Sequence, residues 1–211
     1  MSLQIGVDEA GRGPVLGPMV LAAVALDAAA AATLETLGVA DSKTFGAGAK
    51  AKAKRRALAG AIHEHAIWVE SRHATPATID RRVAHGELNV LERELAMEML
   101  DANALGPNDT IICDGARLFA PLTSRYANLS ARNKAESEFT CVAAASIVAK
   151  DLRDRAFEAI AERYAASYGE LRGGGYPNAT TRRFLDWYIA RHGELPPEAR
   201  RSWTRRAPAT P

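Results

Sequence analysis

Gly6-Val7-Asp8-Glu9-Ala10-Gly11-Arg12-Gly13-Pro14 is the stretch on which the reading of this chain turns. The apolar run at residues 3–7 (LQIGV) reads as a short buried strand, and the glycines after Ala10 as the loop that ends it. Two adjacent carboxylates at the end of a buried strand are costly unless positive charge lies beside them, and a divalent cation suits them. Neighbouring strand residues point to opposite faces, so Asp8 and Glu9 share one centre only if the backbone bends there. Gly11 and Gly13 permit such a bend and let backbone approach a ligand, and Arg12 carries a planar donor fork suited to phosphate. A capped strand end with a surface arginine is the bland alternative, and the rest of the chain decides between the two.

Working outward, 211 residues suggest one domain with a small helical annex and a sizeable core. A formal net charge of +2 does not announce nucleic acid, so any such partner must meet a local basic surface. The basic-rich runs at 50–56 and 200–206 are weak support, since such runs are usually solvated faces. The two cysteines, Cys113 and Cys141, have no zinc spacing and make no disulfide framework; free thiols and a cytoplasmic location are expected. No signal peptide and no membrane span are expected.

Residues 18–26 (PMVLAAVAL) read as a second strand, 28–37 as an Ala-rich helix closed by Gly38, and 66–71 (AIWVES) as a third strand. The low-complexity segment 46–54 opens a helix that runs to about His65. Leu88, Leu91, Leu95 and Met99 recur at helical spacing and read as core. Residues 109–113 (DTIIC) repeat the logic of the opening, an apolar run followed by Asp114 and Gly115. Ligand sites in α/β sheets collect at such carboxyl ends. A long helix from Phe139 to about Tyr164 carries Ser146 and Lys150 one turn apart. Asp41-Ser42-Lys43 offers a hydroxyl and an ammonium in a loop, and 172–177 (RGGGYP) holds Tyr176 in a glycine-rich one. An aromatic held in this way can stack on a sugar or base.

Taken together, Asp8 to Pro14, Asp41 to Lys43, Asp114-Gly115, Lys134 to Glu136, the Ala-Ala-Ser-Ile-Val-Ala-Lys run with Arg153-Asp154, Gly174 to Pro177 and Arg201 to Trp203 resemble, in order, the motifs of type 2 ribonucleases H (RNase HII). The C-terminal motifs resemble the archaeal and eukaryotic-type branch. The resemblance implies an RNase H-like α/β fold, a mixed central sheet flanked by helices with a C-terminal helical region. It places the catalytic core at residues 1–168 and the helical extension of the same domain at 169–211. It implies an endonuclease that hydrolyses the RNA strand of RNA–DNA hybrids and nicks 5′ of single ribonucleotides embedded in duplex DNA, giving 3′-OH and 5′-phosphate ends. By the same resemblance Asp8, Glu9, Asp114 and Glu136 are the catalytic metal ligands for two Mg²⁺ or Mn²⁺ ions, with Asp8 bridging them. Gly11, Arg12 and Gly13 meet the ribonucleotide, Tyr176 packs on the following sugar, and Ser42, Lys43, Ser146 and Lys150 contact phosphates.

Glu136 departs from the family, which usually has Asp ten residues before the motif serine. Glu is more typical of type 3 enzymes, but those usually carry Lys in place of Arg12 and an added N-terminal domain. Other readings are a hybrid-binding module that has lost catalysis at Glu136 and a different metal nuclease of the same fold, such as a junction resolvase. No clamp-binding peptide is recognised, and a monomer is expected.

Overall fold

The computed structural model describes residues 2–39, 46 and 48–204. Five strands form one sheet in the order β3-β2-β1-β4-β5. β1 (Gln4–Ala10) pairs antiparallel with β2 (Met19–Leu26) and parallel with β4 (Thr110–Asp114), which pairs parallel with β5 (Leu129–Arg132). β3 (Trp68–Ala74) is the other neighbour of β2. The sheet is therefore mixed, as expected for the RNase H-like class. Every residue of β2 is buried, which accounts for its unbroken apolar composition: a strand covered on both faces has no solvent side to alternate with.

The chain divides into two compact units. The first comprises residues 1–10, 20–72 and 89–151 and contains most of the sheet, α1 (Ala28–Thr36), α2 (Ala49–His65), α5 (Ala116–Phe119) and the start of α6 (Thr140–Tyr168). Most of α4 (Leu88–Asp101) belongs to it too, and Leu91, Leu95 and Met99 lie in the core as their spacing predicts. Alanine-rich α6 approaches β1 closely: a Cβ on Gly6 would lie 2.2 Å from the carbonyl carbon of Cys141. Gly6 thus has no room for any side chain, and backbone cannot yield as a side-chain tip can.

The second unit comprises residues 11–19, 73–88 and 152–211, of which 205–211 are not among the described residues. It holds α3 (Pro76–Ala84), the rest of α6, α7 (Ala179–His192) and α8 (Arg201–Thr204). Its core gathers Leu16, Phe157, Ile160, Tyr164 and Phe184, with the Tyr164 and Phe184 rings 4.9 Å apart. Two of its helices start on side-chain caps. Thr75, followed by Pro76, opens α3, and Asn178 opens α7 by accepting from the Thr181 N–H at 2.9 Å.

Three strands depart most from the sequence expectation, and α6 runs to Tyr168 rather than about Tyr164. β1 does not stop at Val7 but runs through both carboxylates to Ala10, because β2 keeps pairing with it. β3 begins and ends later than predicted: Ala66 still caps α2, and the strand continues until Thr75 caps α3. β5, a four-residue strand that the sequence expectation did not include, pairs parallel with β4.

Candidate active site

The carboxylates of the first unit gather at the carboxyl ends of β1 and β4. The parallel pairing of these strands aligns Val7 with Cys113, so Asp8 and Asp114 are the next residues along neighbouring strands. Asp8 is buried. Its Oδ1 accepts from the Glu9 N–H at 2.8 Å, and the Ser146 hydroxyl of α6 also donates to it. Lys150, one turn further along α6, donates from Nζ to Ser146 Oγ at 2.8 Å. Burial, then the charge of Glu9 and, more weakly, that of Asp114, push the Asp8 carboxyl up to about 8.

Asp114 accepts from the Ala135 N–H at 3.1 Å and lies within hydrogen-bonding reach of the Glu136 carboxyl. Burial and the Glu136 carboxyl raise its pKa, while the backbone N–H groups of Ala135 and Lys134 pull it the other way. Lys134 holds the left-handed conformation, with φ 61°, and so turns the chain into the short 3-10 segment Ala135–Ser137 that carries Glu136. The extra methylene of Glu136 does not take its carboxyl out of the cluster.

Among the described residues no three His, Cys, Asp or Glu side chains close into a ready-made cation cage. The fit to a cation rests on charge. Glu9 and Asp114 raise the proton affinity of Asp8, Glu136 raises that of Asp114, and a divalent cation relieves that repulsion. An open set of few carboxylates suits Mg²⁺ or Mn²⁺, which keep water and substrate oxygens as ligands.

The glycine-rich loops of the second unit form their own cluster. Gly11 has φ 90°, and a Cβ there would lie 3.0 Å from the Pro18 carbonyl oxygen. The Val15 and Leu16 N–H groups donate to the Gly175 carbonyl at 2.7 and 3.1 Å, tying the loop after Gly13 to the Gly173–Gly175 turn. The Tyr176 ring lies against Gly13: a Cβ on Gly13 would be 3.5 Å from its Cε1, an ordinary contact. Tyr176 is nonetheless 48% exposed. The Arg153 guanidinium lies 5.1 Å from the Tyr176 ring centroid and donates to the Gly174 carbonyl.

Of the residues singled out from the sequence, Asp8, Glu9, Asp114, Glu136, Ser146 and Lys150 fall in the first unit, and Gly11, Arg12, Gly13 and Tyr176 in the second. Ser42 and Lys43 lie outside the described residues. Two arginines in these clusters escaped the sequence reading of the site. Arg153 was visible only as part of a motif, and Arg200 only as the first of a basic run. Nothing in a single sequence distinguishes a buried guanidinium from a solvated one.

A mixed five-stranded sheet with carboxylates at the ends of adjacent parallel strands defines an α/β protein of the RNase H-like fold. The sequence profile of the family described as Ribonuclease HII matches residues 5–206. Ribonuclease HII of Thermococcus onnurineus is 39% identical over 212 residues, covering 94% of this chain and 86% of its own length. Among solved structures, the crystal structure of the ribonuclease H2 from Pyrococcus horikoshii superposes with a TM-score of 0.81 at 33% identity, covering 95% of this chain and 93% of the other. Bst-RNase HIII in complex with Mn²⁺ superposes with a TM-score of 0.75 at 26% identity, covering 95% and 67%. The chain belongs to the Ribonuclease HII family and is a type 2 ribonuclease H of the archaeal kind.

Proposed function

We propose that this enzyme is a divalent-cation-dependent endonuclease that hydrolyses the RNA strand of RNA–DNA hybrids and nicks duplex DNA on the 5′ side of a single embedded ribonucleotide, leaving 3′-OH and 5′-phosphate ends. The observation that carries the reading is the run of neighbouring carboxylates at the ends of β1 and β4, where Glu9 and Asp114 raise the proton affinity of Asp8 and Glu136 that of Asp114. The Mn²⁺ complex of the type 3 relative supports the choice of cation.

Asp8, Glu9, Asp114 and Glu136 would hold two Mg²⁺ or Mn²⁺ ions, which when bound activate the attacking water and stabilise the leaving 3′ oxygen. Ser146 has no exposed surface and donates to Asp8, so it orients that carboxylate rather than meeting a phosphate. Lys150, bonded to Ser146, keeps an exposed ammonium that can contact a phosphate. The Lys134–Ala135 backbone aims Asp114 and presents Glu136. Gly11, Arg12 and Gly13 offer backbone N–H groups and a guanidinium to the 2′-OH and adjacent phosphate, and exposed Tyr176 offers a ring to the next sugar.

The test is cleavage of a duplex DNA carrying one ribonucleotide, and separately of a long hybrid, in Mg²⁺, in Mn²⁺ and in EDTA. A metal-dependent nick 5′ of the ribonucleotide is expected. Cleavage of the hybrid alone would move the specificity toward type 3 behaviour, and cleavage in EDTA would overturn the metal site.

A further inference from the structure

Arg200 is the largest fully buried side chain of the described residues, and its guanidinium serves a single purpose. It donates to three loop carbonyls: Nη2 to Gly11 at 2.7 Å, Nη1 to Arg12 at 3.2 Å and Nε to Gly17 at 3.0 Å. Its own N–H donates to the Val15 carbonyl at 2.8 Å, so main chain and side chain grip the same loop. Leu16 and Ala199 form a bridge beside it, the Gly17 N–H donates to the Glu198 carbonyl at 2.9 Å, and the Trp203 ring lies 5.5 Å from the guanidinium. A buried cation of this kind is retained only where its hydrogen bonds are made, and here they are made to carbonyls rather than to a carboxylate.

The direction of those carbonyls has a consequence. Peptide bonds here are trans and planar, so the N–H of each peptide points opposite to its C=O. Drawing the Gly11 and Arg12 carbonyls toward Arg200 turns the N–H groups of Arg12 and Gly13 to the other side of the loop. Two successive N–H donors facing one way form an acceptor-binding edge. Lysine cannot reproduce the arrangement, because one ammonium lacks the planar fork that reaches three carbonyls.

We infer that Arg200 is a positioning residue for ribonucleotide recognition: by holding the Gly11 and Arg12 carbonyls it aims the Arg12 and Gly13 N–H groups at the 2′-OH and its phosphate. The inference rests on the proposed reading of the Gly11-Arg12-Gly13 loop. Arg200 touches no substrate, and its role is to set the loop's peptide planes.

The experiment compares affinities, in EDTA so that nothing is cleaved, for a duplex with one embedded ribonucleotide and for the same all-deoxy duplex. Arg200→Lys, with its folded state checked by thermal melting, is expected to lose at least tenfold of the ribonucleotide preference while its affinity for the all-deoxy duplex stays at the wild-type value. A merely structural role would lower both affinities together. Methylguanidinium added to Arg200→Ala is expected to restore the preference. In the wild type, the Arg12 and Gly13 amide resonances are expected to shift more with the ribonucleotide duplex than with the all-deoxy one, which tests the role even if neither variant folds. A folded Arg200→Lys that keeps the wild-type preference, or amides that do not distinguish the duplexes, overturns the role of Arg200. A wild type with no ribonucleotide preference overturns the reading of the loop itself, and the role of Arg200 with it.

Discussion

Replacing Asp8 by asparagine should make the metal-free protein more stable at neutral pH while abolishing cleavage. Asp8 is buried beside Glu9 and Asp114, and its carboxyl is pushed from an ordinary 3.8 up to about 8. A carboxyl whose folded value is raised binds its proton more tightly in the folded state than in the unfolded one. Stability is therefore highest below the unfolded value, falls as pH rises from about 4 to about 8, and levels off above. Each pH step within that window costs about 1.4 kcal/mol, so at pH 7 the ionisable Asp8 costs the metal-free fold about 4 kcal/mol. The introduced asparagine cannot ionise, yet its amide oxygen can still accept from the Glu9 N–H and its NH₂ can donate to Ser146 Oγ. Urea unfolding in EDTA at pH 5, 6, 7 and 8 should show the variant gaining on the wild type at each step. Mg²⁺ at a hundred times its Kd should then recover about 2.7 kcal/mol in the wild type only. A stability difference that is the same at pH 5 and pH 8 would refute the reasoning, because Asp8 would then not be a carboxylate held against its neighbours' charge.

Asp114→Asn is expected to lower cleavage at least about a hundredfold, beyond the 10- to 100-fold typical of outer-shell partners, while hybrid binding in EDTA is retained; single-turnover kinetics and a binding titration check it. Gly6→Ala should cost about 3 kcal/mol or more in urea unfolding, since its methyl would meet Cys141 backbone that has nowhere to go. Lys134→Val should cost about 1–2 kcal/mol and slow cleavage, because a β-branched residue resists the left-handed turn that points the Ala135 N–H at Asp114, whereas Lys134→Gly should stay within about 0.5 kcal/mol of wild type. Gly13→Ala makes only ordinary contact with Tyr176, so its melting temperature should be unchanged while cleavage at an embedded ribonucleotide falls at least tenfold.

Much of this protein could be read from one dimension. The carboxylates at the ends of two apolar runs, Asp8 with Glu9 and Asp114, were legible because strand ends and glycine turns leave a local mark in the sequence. The α4 stripe was legible for the same reason, since helical periodicity is local. Tertiary pairing decided the rest. β1 continues through Glu9 because β2 stays hydrogen-bonded to it, and β5, only four residues long, is held as a strand by its pairing with β4. Ser146 changed meaning once its hydroxyl was found buried on Asp8, and Glu136 proved long enough to reach Asp114. Arg200 shows the division most clearly. Its place in a basic run suggested a solvated charge, yet it is wholly buried on the carbonyls of Gly11, Arg12 and Gly17, nearly two hundred residues earlier in the chain. Sequence alone determined which residue types stand at which local turns and strand ends. Which of those side chains meet, and which charges are taken out of water, was decided only by the tertiary fold, because burial and hydrogen-bond partners depend on contacts between segments far apart in the chain.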